Sequence, residues 1–379
     1  ELNRILKNRE CKKLRTQDVA DIVCCGGQVV KSGGIRRTAL ILLGDIDDIS
    51  FLNLKRWDLD ITLPGYRSNS NNSILCSNFN HLLEQYWDGF KGNGEAYGLV
   101  NIKNARRFGR SGETKVLDFD LHDDTIIGAN PCTEAFLADK ECCNLAELAI
   151  NNITSKEEML DCATLLYKAQ KAVAARPYFY EESNNIVHKN MRLGLGVTGV
   201  CQNTNYSEWC DYVYTELRKF DKDYSKKHGW NQSIRLTVVK PSGTLSLLSN
   251  STPGPCPGYA PYFMRTIRFS SMDGLIPLLK SAGFKMEPEV TLDGKLNHNI
   301  VVVYFPCRFE DGTICEGQSD AIDQLERIAK LQKYWADQAI SNTVYYKPED
   351  LPRIRQWLKD NYNDSVKAVS FLLHSGHNF

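Results

Sequence analysis

The chain has 379 residues with 46 Lys+Arg against 46 Asp+Glu, so it carries no net charge, and nothing global recommends nucleic acid or an anionic membrane as partner. No run of about 18 apolar residues occurs, which argues against a membrane-spanning helix, while the length suffices for one large α/β domain or two ordinary ones. Thirteen cysteines, an odd number with no Cys-x-x-Cys among them, argue against a disulfide-stapled secreted module and a thiolate zinc site, and fit a reducing, cytoplasmic compartment.

Residues 1–31 open with a basic, helix-like segment that leads through Val19–Cys25 into Gly26-Gly27, and Cys24-Cys25 reads as small residues buried at a helix end. The Gly33-Gly34 turn delivers Arg36-Arg37 into a predicted buried strand over Thr38–Leu43. Polarity then rises, and Arg67-Ser68-Asn69-Ser70-Asn71-Asn72-Ser73 has the composition of an exposed loop. Leu82, Leu83, Tyr86 and Phe90 predict a short amphipathic helix that stops at Gly92-Asn93-Gly94. Gly98–Ile102 reads as the next strand and Ala105–Arg110 as a basic loop, since a local basic cluster on a neutral chain does not make a nucleic-acid site. Val116–Leu121 alternates like a strand.

Ala129-Asn130-Pro131-Cys132-Thr133-Glu134 follows, and Pro131 argues against helix there. In an extended loop, side chains two residues apart share a face, so Asn130, Cys132 and Glu134 are predicted to point the same way. Glu141-Cys142-Cys143-Asn144-Leu145 adds further thiols. An amide, a carboxylate and flanking thiols suit chemistry in which sulfur both carries a radical and delivers electrons. Ser155-Lys156-Glu157-Glu158 is a capping-box pattern that opens a helix through about Ala174, with Met159, Leu160, Ala163, Leu166 and Ala169 on its apolar side.

Arg192–Gly199 has the look of a glycine-rich phosphate loop, but close packing of backbone is the better reading because no clear strand precedes it. Residues 207–228 form a further predicted helix. Ile234–Val239 reads as a strand, followed by Lys240-Pro241-Ser242-Gly243-Thr244 and the apolar start of a helix. That geometry aims free backbone N–H groups at an anion. The hydroxyls of Ser242, Thr244 and Ser246 can add donors, and an ordinary helix cap is the competing reading. Pro253, Pro255 and Pro257 impose a rigid irregular loop. A buried strand at 300–305, helices at 318–341 and 348–362 and a last strand at 366–373 complete the reading. Tyr345-Tyr346 reads as an aromatic pair at a strand end.

Asn-Pro-Cys-x-Glu at 130–134 followed by Cys-Asn-Leu-x-Glu at 143–147 resembles the active-site finger loop of ribonucleotide reductases, specifically the adenosylcobalamin-dependent (class II) type. The Ser32–Ala39 block, Gly98–Asn101 with Asn104–Arg110, and Lys240–Ser246 with Thr252–Gly254 look like family blocks in family order. The monomeric ribonucleoside-triphosphate reductases are the most similar subgroup.

The resemblance implies a ten-stranded α/β barrel of the ribonucleotide reductase and glycyl-radical type, made of two parallel five-stranded halves set antiparallel. A central finger loop lies near 128–145 and a phosphate-binding turn near 240–248. On this reading residues 1–379 are one partial barrel domain that lacks early strands, as expected of a piece of a longer protein. Cys132 becomes the thiyl radical, Glu134 the base at the 3′-OH with an ordinary carboxylate pKa of about 4, and Asn130 the hydrogen-bonding partner of the hydroxyls. Cys143 is the reducing cysteine, and its partner is unassigned among Cys11, Cys24, Cys25 and Cys76.

Ser242, Gly243, Thr244 and Ser246 bind the substrate phosphates. The Ser-Asn-Asn-Ser run belongs to the core that faces the substrate, and the Arg36-Arg37 block lies near it. Thr133 stands where many relatives have Gly, which is tolerated if the loop needs no positive φ. The implied cofactor is adenosylcobalamin, without a protein-bound metal site. The implied partners are a ribonucleotide substrate, a thioredoxin-like dithiol reductant and a nucleotide effector bound outside this segment, acting on a monomer without nucleic acid or membrane. The alternatives are a class I ribonucleoside-diphosphate reductase large subunit and an inactive nucleotide-binding fragment.

Overall fold

The computed structural model describes residues 1–28, 39–59, 63–112, 124–291 and 294–374. The Arg36-Arg37 block and the predicted strand at 116–121 lie outside these residues. The chain divides into two compact units, Glu1–Cys256 with Ser319–Phe379, and Pro257–Gln318. The first unit contains β1 (Leu40–Asp45), β2 (Ser70–Leu75), β3 (Gly98–Val100), the short pair β4 (Gly128–Ala129) and β5 (Phe136–Leu137), then β6 (Leu145–Ala149) and β7 (Gly194–Thr198). The second unit holds β8 (Tyr262–Ser270), β9 (Met286–Val290) and β10 (Leu296–Arg308), and the chain returns to the first with β11 (Thr343–Tyr346) and β12 (Ala368–Leu373).

In the first unit β1, β2 and β3 run parallel. β12 joins β3 antiparallel, with Ala368 opposite Val100, and β11 lies parallel to β12. β6 and β7 pair in parallel, and parallel bridges from Leu195 to Thr237 and from Val239 to Ile340 extend that ladder. The segments at 145–149, 194–198, 237–239, 340–346 and 368–373 therefore follow one another in parallel and meet the β1 to β3 group antiparallel at β3/β12. This is the expected arrangement of two parallel halves, with three strands of one and five of the other among the described residues.

Parallel strands need helical crossovers, and the sequence supplies them. In the helix Lys156–Ala174 the Ser155 hydroxyl accepts from the Glu158 N–H at 3.1 Å, and the Glu158 carboxylate accepts from the Thr154 N–H at 2.8 Å. The buried side includes Met159, Ala163, Tyr167, Lys171 and Ala174, while Ala169 is exposed, so the packed face is rotated from the predicted one. Tyr167 packs against Phe220 and Tyr224 of the helix Tyr206–His228, with ring centroids 5.5 and 5.7 Å apart.

Two expectations change. The predicted helix at 318–341 ends at Tyr334, because the following residues serve as barrel strand: the Gln338 N–H reaches the Thr237 carbonyl at 3.1 Å and the Ser341 N–H reaches that of Val239 at 2.8 Å. The strand at 300–305 is not buried as predicted. It is part of β10, which pairs antiparallel with β8 and β9, and only Val303 along it is fully enclosed. The asparagine-rich run follows the resemblance and not its composition: residues 67–69 belong to a 3-10 turn and Ser70–Ser73 open strand β2, with Ser70, Asn72 and Ser73 buried.

The Arg192–Gly199 stretch is backbone packing, as predicted. A side chain at Gly194 would come within 2.5 Å of Leu145. Tyr346 is buried with its hydroxyl on the Phe90 carbonyl at 3.0 Å, a structural contact. No helix among the described residues is long and apolar enough to cross a membrane.

Candidate active site

The tip between β4 and β5 closes on itself. The Asn130 N–H donates to the Ala135 carbonyl at 2.9 Å, the Thr133 N–H to the Asn130 carbonyl at 2.8 Å, and the Ala135 N–H to the Asn130 side-chain oxygen at 3.0 Å. Thr133 sits at φ 65°, so the loop does require a left-handed residue at the position where tolerance of Thr depended on its absence. A β-branched side chain is strained there. Asn130 and Glu134 turn inward, with Glu134 only 2 % exposed, and Cys132 is left open at the tip.

Buried charge anchors both ends of the loop. Arg192 grips Asp124 through two hydrogen bonds of 2.8 and 2.9 Å and pairs with Glu141 at 3.0 Å. Arg235 adds a bond to Asp124 at 3.0 Å, and Glu141 accepts from Asn190 at 2.9 Å and from the Ala138 N–H at 2.8 Å. Buried ions are tolerated when paired and hydrogen-bonded in this way. From the side, the Asn71 amide of β2 holds the Pro131 carbonyl at 2.7 Å.

Electrostatics ties the site together. Burial raises Glu134 above the usual carboxylate range, against the pull of the Asn130 side chain, its own backbone N–H and Lys240, which corrects the expectation of an ordinary carboxylate. Solvent reaches Cys132, yet protein crowding around its sulfur, helped by Glu134 and Cys143, pushes the thiol up to about 11. Cys143 is exposed and is raised by crowding, Glu134 and Cys142. Glu134 thus acts on both thiols. Cys132 and Thr133 also line a cavity of about 20 Å3 with Ser73, Asn342 and Ser370, and Asn342 accepts from the Cys256 thiol at 2.8 Å.

The predicted phosphate turn is present but arranged differently. Gly243 and Thr244 are exposed, whereas Ser242, at φ 47°, turns its hydroxyl inward to donate to Glu147 at 2.5 Å. Ser246 is buried with its hydroxyl unpartnered. The second redox cysteine does not emerge from the upstream thiols. Cys24 is buried against the Ser70 hydroxyl at 3.5 Å, and Cys76 donates to the Asn78 carbonyl at 3.2 Å in a buried setting.

Sequence reasoning named Glu147 and Lys240 only within family blocks and gave them no role, and it missed the Asp124–Arg192–Glu141 clasp, while Asn71 lies in the run it placed in the core that faces the substrate. The legible signal for Glu147 was a charge inside the otherwise apolar strand Leu145–Ala149. Among the described residues no cluster of three or more potential metal ligands occurs.

Residues 117–222 match the family model for the barrel domain of ribonucleotide reductase. The chain is 30 % identical to the adenosylcobalamin-dependent ribonucleoside-triphosphate reductase of Levilactobacillus brevis, covering 100 % of this chain and 54 % of the relative. It is 29 % identical to the protein of the same name from Lactobacillus delbrueckii subsp. bulgaricus, over 99 % of this chain and 54 % of that one. It is also 29 % identical to the probable adenosylcobalamin-dependent ribonucleoside-triphosphate reductase of Dictyostelium discoideum, over 99 % of this chain and 49 % of that one. The chain thus spans about half the length of the curated relatives it matches.

A crystal structure of a B12-dependent (class II) ribonucleotide reductase superposes with TM-score 0.83 at 26 % identity, over 100 % of this chain and 56 % of that chain. The class Id reductase alpha subunit of Actinobacillus ureae superposes with TM-score 0.53 at 15 % identity, over 94 % of this chain and 74 % of that one, a likeness of fold.

Proposed function

We propose that this chain, whose curated homologues are named adenosylcobalamin-dependent ribonucleoside-triphosphate reductases, provides the catalytic barrel of an enzyme that reduces ribonucleoside triphosphates to 2′-deoxyribonucleotides. The observation that carries the reading is the closed tip between β4 and β5, which sets the exposed Cys132 between the buried Asn130 and Glu134, with the exposed Cys143 just ahead of β6.

Hydroxide leaves poorly from an unactivated carbon, and a radical at the neighbouring C3′ eases that step. Cys132 takes the 3′ hydrogen atom and later returns it. A thiol raised to about 11 keeps its S–H at neutral pH, which hydrogen-atom transfer needs and a thiolate lacks. The exposed tip presents this S–H to a radical generator, so the residues present fit that chemistry. Adenosylcobalamin, when bound, would supply a carbon radical by homolysis of its cobalt–carbon bond.

Glu134 holds and accepts the 3′-OH proton, and Asn130 orients it through the loop tip it closes. Two electrons come from Cys143 and a second thiol, which become a disulfide while the 2′-oxygen departs as water. A thioredoxin-like dithiol restores them by exchange. Ser242, Gly243, Thr244 and Ser246 take the substrate phosphates once the Ser242 hydroxyl leaves Glu147. The orphaned Ser246 hydroxyl supports that use of the turn. The proposed setting is a monomer in the cytoplasm, with an effector bound outside this segment.

The test is an anaerobic assay of the intact parent protein for deoxycytidine triphosphate from CTP, with and without adenosylcobalamin, in the presence of a dithiol. Cobalamin-dependent product supports the reading. Product from CDP alone, on addition of a metal-bearing small subunit, would overturn it.

A further inference from the structure

Glu147 stands on β6 beside the turn at 240–244, in register with Gly196 of β7. The Ser242 hydroxyl donates to its Oε2 at 2.5 Å, while Oε1 is buried with no hydrogen-bond partner among the described residues. Ser242 itself is 4 % exposed and sits at φ 47°, a conformation that a residue other than glycine keeps only when its surroundings impose it. The bond to Glu147 helps to impose it. The turn has little room to retreat: a side chain at Gly254 would come within 2.2 Å of the Lys240 carbonyl, and the Gly254 N–H is tied to the Thr198 hydroxyl at 2.9 Å. Gly243 and Thr244 are exposed beside it, so rotation of one side-chain bond decides whether the Ser242 hydroxyl serves Glu147 or a ligand in the open turn.

We propose that Glu147 is a substrate-binding residue of the phosphate turn, which surrenders the Ser242 hydroxyl to an oxygen of the substrate's phosphate chain and takes up one proton from solvent as it does so. The inference rests on the reading of Ser242 to Ser246 given above. A phosphate oxygen that accepts from this hydroxyl lies within about 6 Å of the carboxylate, and a like charge at that separation disfavours the ionised form. With its donor gone, Glu147 would also hold two buried oxygens without partners, a costly state for an anion. A proton removes the charge and makes the carboxyl a donor toward the incoming phosphate. The groups facing Glu147 leave this balance in place. Burial is the largest influence on the free carboxyl and raises it; the Ser242 hydroxyl opposes burial first, then Lys240, whose stem lies over Gly196, and Glu134 at the finger tip adds to the rise. Gly196 brings no side chain, and Leu148, the next residue of β6, packs into the core on the other face of the strand.

The experiment is calorimetric titration of CTP into the intact parent protein, reduced and without cobalamin so that no turnover occurs, at neutral pH in buffers of different ionisation enthalpy. The slope of binding enthalpy against buffer enthalpy counts the protons exchanged. Wild type should take up about half a proton or more beyond Glu147→Gln and Glu147→Ala, a comparison that cancels any proton carried by the nucleotide. Relative to Glu147→Gln, wild type should lose CTP affinity about threefold or more as pH rises from about 6 to 8, because the proton is harder to take up. Difference infrared spectra should show the carbonyl band of a protonated carboxyl appearing on CTP binding to wild type and not to either variant. Ser242→Ala should weaken CTP binding.

Equal proton uptake in wild type and both Glu147 variants, or no carboxyl band on binding, would overturn the inference, and would leave the phosphate turn standing where Ser242→Ala still weakens binding. CTP binding at wild-type strength in Ser242→Ala would put the phosphates elsewhere and overturn the reading of the turn, and this inference with it.

Discussion

The side-chain amide of Asn71 donates to the backbone carbonyl of Pro131 at 2.7 Å, so the second strand of the barrel steadies the residue just before Cys132. A partly exposed hydrogen bond contributes about 0.5–1.5 kcal/mol to stability, a small share of a domain's total. Positioning errors near reacting atoms cost far more in rate. Asn71→Ala should therefore leave the melting temperature within a few degrees of wild type while lowering kcat by about tenfold or more. Calorimetry beside steady-state assay checks the pair, and a loss of stability matching the loss of rate would contradict it.

Thr133 occupies φ 65°, where a β-branched residue costs about 1–2 kcal/mol. Thr133→Gly removes that strain and adds back about 0.5–1 kcal/mol of chain entropy to the unfolded state. The substitution should be neutral to stabilising by about 1 kcal/mol in urea denaturation, unlike an ordinary Thr to Gly change in a loop. A clear destabilisation would show that the tip does not adopt this conformation.

The Asp124–Arg192–Glu141 clasp is buried, with side chains at most 2 % exposed. Arg192→Met leaves Glu141 enclosed without its cation and Asp124 with Arg235 alone, a change that costs about 3–5 kcal/mol. Equilibrium unfolding should register the full loss. A cost below about 1 kcal/mol would mean that the pair behaves as a solvated surface bridge.

Glu134 gives a stability test with a definite sign. Its folded-state pKa is raised by burial, so the folded protein holds that proton more tightly than the unfolded chain does. The contribution is fully present below the unfolded value of about 4.3 and is lost as pH rises through the raised folded value. Glu134→Gln should therefore gain on wild type as pH climbs from about 4 and then hold a constant advantage. Melting temperatures measured across that range decide it, and an advantage that shrinks with rising pH would reverse the sign.

Much of the architecture was legible because its signals are local. The capping box at Ser155 to Glu158, the glycine stop at Gly92 and the apolar strands each carry their own instruction. The extended segment at 338–341 was not legible. Its apolar and polar residues continue the helical spacing of Ala321–Tyr334, and only pairing with Thr237 and Val239, about a hundred residues away, makes it extended.

The site shows the same division. Cys132, Glu134 and Cys143 stand out in the sequence by type and spacing, but alternation assumed an extended loop. The left-handed Thr133 makes the tip a turn, with Glu134 buried and Cys132 exposed. Lys240 and Glu147 lie 93 positions apart in the numbering and come to flank Gly196 only when three strands align, so no local pattern could reveal their juxtaposition.

The central claim, that Cys132 takes hydrogen from C3′, is tested most directly by the isotope effect of 3′-deuterated CTP on deoxycytidine triphosphate formation by the intact parent protein, measured beside Cys132→Ser. A primary isotope effect in the wild type and no product from the serine variant are the predicted results. Equal rates for both substrates, with product still formed by Cys132→Ser, would contradict the account.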